Sequence, residues 1–195
     1  MRTACFTSTA PGEDLVRLAV EQEAELLVAE AQSPAVLETL SAAPCDVAIA
    51  SRGLHFEPDH AVLVPFGGAR EEWAALELAA WIARAHGLRL RLLGTEASET
   101  RRDASRMLAG ASLALQRFAG IAAEPVILPP GFDGVRLGPA SLVVASLPAG
   151  ELDPTRRALV ESLPALLVRG GLRPGGLAPD QTLTRFSWSL AEPSS

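Results

Sequence analysis

Along this chain, short unbroken apolar runs alternate with stretches in which apolar residues recur every three or four positions, the pattern of strands and helices taking turns. Residues 2–8 read as a strand and Pro11-Gly12 as a turn. A helix over 13–24 follows, with Leu15, Leu18 and Ala19 on one face and Glu13 and Asp14 at its positive end. Residues 25–31 predict a buried strand, 34–42 a short helix with Val36, Leu37 and Leu40 inward, and 44–51 another strand. That order predicts parallel strands joined by right-handed crossovers.

Residues 52–59, with Gly53 and Pro58, read as a linker. The clearest strand follows, Ala61-Val62-Leu63-Val64-Pro65, running into Phe66-Gly67-Gly68. A helix over 70–86 carries Trp73, Leu76, Ala80 and Ala83 on one face and stops at Gly87. The pattern continues as a strand over 88–95, a helix over 99–120 and a strand over 124–128. Between Pro129 and Pro139 the crossover shrinks to about one turn, crowded with Gly and Pro. Strand 141–147, helix 152–163 and strand 165–169 close the pattern. In the tail, Phe186-Ser187-Trp188-Ser189-Leu190 alternates apolar and polar, as an added edge strand or docking peptide would.

The chain also repeats itself. Pro11-Gly12-Glu13-Asp14-Leu15-Val16-Arg17-Leu18 returns as Pro130-Gly131-Phe132-Asp133-Gly134-Val135-Arg136-Leu137, and Ala24-Glu25-Leu26-Leu27-Val28-Ala29 returns as Ala140-Ser141-Leu142-Val143-Val144-Ala145. A repeat this long is a whole α/β unit. The second copy has a strand-helix-strand-helix stretch before it that the first lacks, so one complete domain over 59–171 is expected after a half-domain and linker over 1–58 and before an extended tail over 172–195. The half-domain either packs onto the complete one as a sheet extension or completes its sheet with another chain, since three strands alone leave a long edge.

Composition narrows the function. The net charge is −6 and the arginines are interspersed with carboxylates, which gives nucleic acid no basic stripe to bind. No apolar run approaches the roughly 20 residues of a membrane span, so this segment is expected to be cytoplasmic, with no direct membrane insertion. Cys5 and Cys45 lie in strand-like runs without a second ligand nearby, and His55 and His60 are poorly spaced for zinc, so no metal site is expected. No phosphate loop, nucleophile elbow or dinucleotide fingerprint is present, which argues against an enzyme.

The run Val62-Leu63-Val64-Pro65, the helix core Trp73-Ala74-Ala75-Leu76-Glu77-Leu78-Ala79 and the close Pro164-Ala165-Leu166-Leu167-Val168-Arg169 together resemble the universal stress protein domain. The resemblance implies an α/β fold with a Rossmann-like open parallel sheet. Ala42-Ala43-Pro44-Cys45-Asp46-Val47 is similar to the same family's ending, and the tail Gly171-Leu172-Arg173-Pro174-Gly175-Gly176-Leu177-Ala178-Pro179 resembles the cytosolic end of actinobacterial cation/proton antiporters.

In ATP-binding members the nucleotide sits at the carboxyl ends of the strands, held by an Asp after the first strand and a Gly-x-x-Gly, nine residues, Gly-Ser/Thr pattern after the fourth. Here Gly67, or its neighbours Phe66 and Gly68, stands at the Asp position. The later loop, Ser146-Leu147-Pro148-Ala149-Gly150-Glu151-Leu152-Asp153-Pro154, has one glycine, acidic residues and two prolines without N–H. The first copy's Glu30-Ala31-Gln32-Ser33-Pro34 has no glycine. The resemblance therefore implies a degenerate site whose nucleotide candidates are Pro65, Phe66, Gly67, Gly68, Gly94 and Gly150. Glu71-Glu72 read simply as complements to a helix dipole.

The expected function is a non-catalytic regulatory or assembly module. It would be a homodimer, or the cytosolic part or partner of a membrane transporter, without a cofactor. The alternative is a stress protein binding ATP or another adenine nucleotide through a variant site.

Overall fold

The computed structural model describes residues 7–31, 33, 39, 42–51, 53–95, 101–129, 132, 137–147 and 152–171. Their order is α1 (Pro11–Glu21), β1 (Leu26–Glu30), β2 (Asp46–Ala50), β3 (Ala61–Pro65), α2 (Glu72–His86), β4 (Arg89–Thr95), α3 (Arg101–Phe118), β5 (Ala123–Leu128), β6 (Ala140–Ser146), α4 (Pro154–Ser162) and β7 (Ala165–Arg169). The expected strand over 2–8 and helix over 34–42 lie largely outside the described residues, as does the tail over 172–195.

Apolar runs became buried strands. All five residues of β3 and six of the seven in β6 are buried, as befits strands sandwiched between helices. The helix periodicity placed α2 to within two residues, and Gly87 ends it in the left-handed conformation, φ 65°. α1 begins earlier than its apolar period suggested, because Pro11 suits the first helical turn, and ends at Glu21, before the positive-φ turn at Glu23.

The seven strands form one sheet in the order β1-β2-β7-β6-β3-β4-β5. Five of its six pairings are parallel, as the strand-helix alternation required. The sixth is antiparallel: β2 meets β7 with Val47 opposite Arg169, Ala48 opposite Val168, Ile49 opposite Leu167 and Ala50 opposite Leu166. This reversal has no signature in the local sequence. It lets β1 and β2 extend the sheet of the later strands within one chain.

On one face of the sheet α2 and α3 cover a core that includes Val62, Val64, Leu90, Leu142 and Val144. On the other, Leu159 of α4 packs with Leu63, Leu93 and Val143, while Ala19 of α1 packs with Cys45 and Val47. Cys45 is thus a small core residue, as expected; Cys5 lies outside the described residues.

After β7 the chain turns tightly against the start of β2. The Gly171 N–H donates to Asp46 Oδ1 at 2.7 Å, and a Cβ on Gly171 would fall 2.6 Å from the Pro44 carbonyl oxygen and onto the Cys45 backbone, so only glycine fits. Burial holds the Asp46 carboxyl above its ordinary range, partly countered by that N–H and by Arg169. Arg169 also donates to the Ala43 carbonyl at 2.9 Å, tying the end of β7 to the segment before β2.

Candidate functional site

Open parallel sheets hold ligands beyond the carboxyl ends of their strands, and this sheet has a cavity there of about 300 Å³. Pro65, Phe66 and Gly67 line it from the end of β3, Leu93 from β4 and Leu128 from β5. Asp153, Thr155 and Arg156 close it from the start of α4. The floor is apolar and rigid: Phe66 is 2% exposed, meets Trp73 edge-on at 5.1 Å between ring centroids, and donates its N–H to the Leu93 carbonyl at 2.8 Å.

Of the nucleotide candidates, Pro65, Phe66 and Gly67 line this mouth. Gly68 sits just behind it at φ +86°, where a Cβ would run into Met107 of α3. Gly94 is a packing glycine: a Cβ would come within 2.9 Å of Leu108 Cδ1, so its absence lets α3 lie close on β4. Gly150 lies outside the described residues.

Glu72 is buried behind this lining and bonds to two of its members, Gly67 and Arg156. It does more than complement a helix dipole, because its side chain is 5% exposed and fully engaged. Its Oε2 accepts the Gly67 N–H at 2.6 Å and the Ala69 N–H at 3.0 Å, so the turn after β3 wraps its own donors around a carboxylate from the first turn of α2. Its Oε1 accepts Nη2 of Arg156, which reaches across from α4. Asp153 caps α4 by accepting the Arg156 N–H at 3.0 Å, and it holds Nη1 of the same guanidinium at 2.8 Å. Two carboxylates thus share one guanidinium. Burying Glu72 is tolerable because each of its oxygens has a charge-assisted or backbone partner.

Sequence reasoning passed over Glu72 and Arg156. A carboxylate five residues after Gly67, at a helix start, was a usable signal for the first. Arg156 is 84 positions away from its partner, and nothing local announced it.

Two of the three histidines take structural partners. His60 Nε2 lies 3.2 Å from Glu57 Oε2, and His86 stacks on Phe56 at 4.2 Å. Among the described residues no group of three or more His, Cys, Asp or Glu is arranged to hold a metal, and no helix is long and apolar enough to cross a membrane. A second groove, of about 370 Å³, lies beyond the carboxyl ends of β1 and β2. It is lined by Val28–Ala31, Ala50, Ser51, Gly53 and Leu54, without a charged pair like that of Glu72 and Arg156.

A universal stress protein from Archaeoglobus fulgidus DSM 4304 superposes on this architecture with a TM-score of 0.53 at 15% identity, covering 83% of this chain and 66% of its own length. This chain has the universal stress protein fold. It spans just under two-thirds of that protein. A universal stress protein from Archaeoglobus fulgidus in complex with dAMP aligns over 57% of the chain and 98% of its own length, at 16% identity and a TM-score of 0.45. A protein from the universal stress protein family from Burkholderia pseudomallei aligns over 55% and 93%, at 22% identity and a TM-score of 0.42. No family model matches the sequence, and no curated protein matches it significantly.

Proposed function

We propose that this chain is a non-catalytic regulatory or assembly module built on the universal stress protein fold, acting in the cytoplasm as a homodimer or as the cytosolic part or partner of a cation/proton antiporter. The observation that carries this reading is the engagement of Glu72 with Gly67, Ala69 and Arg156. A phosphate chain needs free N–H donors and positive charge at the mouth. Here the Gly67 and Ala69 N–H groups are already bonded to a carboxylate, and Arg156 is shared between Glu72 and Asp153. The transporter part of the reading is supported by the likeness of residues 171–179 to an antiporter's cytosolic end.

Isothermal titration of the purified chain with ATP and magnesium tests the module reading. The expected result is no binding tighter than about 1 mM, equivalent to roughly −4 kcal/mol. Micromolar capture, or any hydrolysis, would replace it with the alternative, an adenine-nucleotide-binding stress protein using the apolar floor of Phe66, Leu93 and Leu128.

A further inference from the structure

We propose that Glu72 is a built-in anion occupying a latent oxyanion site, and that removing its carboxylate opens that site to inorganic phosphate. The inference rests on the reading above that the mouth is closed, and it adds what closes it and what would enter.

Three donors from two separate elements converge on one carboxylate. Gly67 N–H and Ala69 N–H come from a single tight turn, and the guanidinium of Arg156 from α4. Two neighbouring backbone N–H groups with an arginine form a donor set suited to any small oxyanion, because tetrahedral and planar anions alike accept from several directions at once. Arg156 Nε is buried and has no partner among the described residues, so the guanidinium retains an unused donor. Gly67 and Arg156 both line the cavity, which gives an external anion a route to the donors.

Glu72 holds the site because it is tethered beside it. A tethered carboxylate competes at a high effective concentration against any free anion. The wild-type chain should therefore bind phosphate poorly even though the donors are in place.

The test is titration of wild type, Glu72→Ala and Glu72→Ala/Arg156→Gln with inorganic phosphate, with folding of each checked by a cooperative thermal transition. Glu72→Ala should bind phosphate about tenfold tighter than wild type or better, and adding Arg156→Gln should abolish the gain. If Glu72→Ala does not fold, Glu72→Gln carries the test, since it keeps the volume and removes the charge; it should show a smaller gain of the same sign. A folded Glu72→Ala or Glu72→Gln that binds no tighter than wild type, or a gain that survives the loss of Arg156, overturns the proposal. Tight ATP binding by wild type would defeat the module reading alone, because the phosphate comparison is read between variants.

Discussion

Val28 and Val144 occupy the same place in the two copies of one short sequence, yet the first is 61% exposed and the second 0%. Both lie on strands paired in parallel with the next strand along the sheet, β1 with β2 and β6 with β7. The difference is what lies over them. Val144 belongs to the core beneath α2 and α3, whereas no described helix buries Val28. A strand of this composition does not carry its own burial: nearly the same letters give a core strand in β6 and, among the described residues, an edge strand in β1, according to the neighbours available.

The sharpest way to break the comparison is Leu142→Ala, in the strand where the neighbours are complete. Leu142 is fully buried, and truncating it should cost about 3 kcal/mol in urea unfolding; a loss below about 1 kcal/mol would mean that β6 is no better packed than β1.

An intermediate effect is expected where the copies meet. The Asp46 carboxyl is held above its ordinary value by burial, so the folded state retains its proton more readily than the unfolded chain. This contribution is complete below the unfolded value and is lost as pH rises through the folded one. Asp46→Asn keeps an acceptor for the Gly171 N–H and removes the charge, so its unfolding free energy should lack that decline. Near neutral pH it should match or exceed wild type. Urea unfolding of both proteins across a pH series checks this, and a variant that keeps the wild-type slope would place its origin elsewhere.

The smallest effect belongs to Val28→Ala, which should change stability by no more than about 0.5 kcal/mol in the same assay. A larger loss would show that something covers β1 in solution.

Much of the fold was legible because it is written locally. The bounds of β3 and β7 were readable from unbroken apolar runs, and Gly87 marked the end of α2 to the residue. The antiparallel meeting of β2 and β7 was not legible, because it depends on Val47 and Arg169, more than a hundred positions apart, finding one another, and a strand's sequence does not state its neighbour's direction. The site shows the same division. Pro65, Phe66 and Gly67 follow from where β3 ends, while the closing of the mouth depends on Arg156 reaching Glu72 from a distant helix.

The reversal between β2 and β7 has a geometric outcome for anything that binds. The groove beside Val28 and the hollow over Phe66 open at opposite rims of the sheet, facing away from each other along the strand axis. Anything that approaches along the strand axis from one side therefore meets only one of the two hollows.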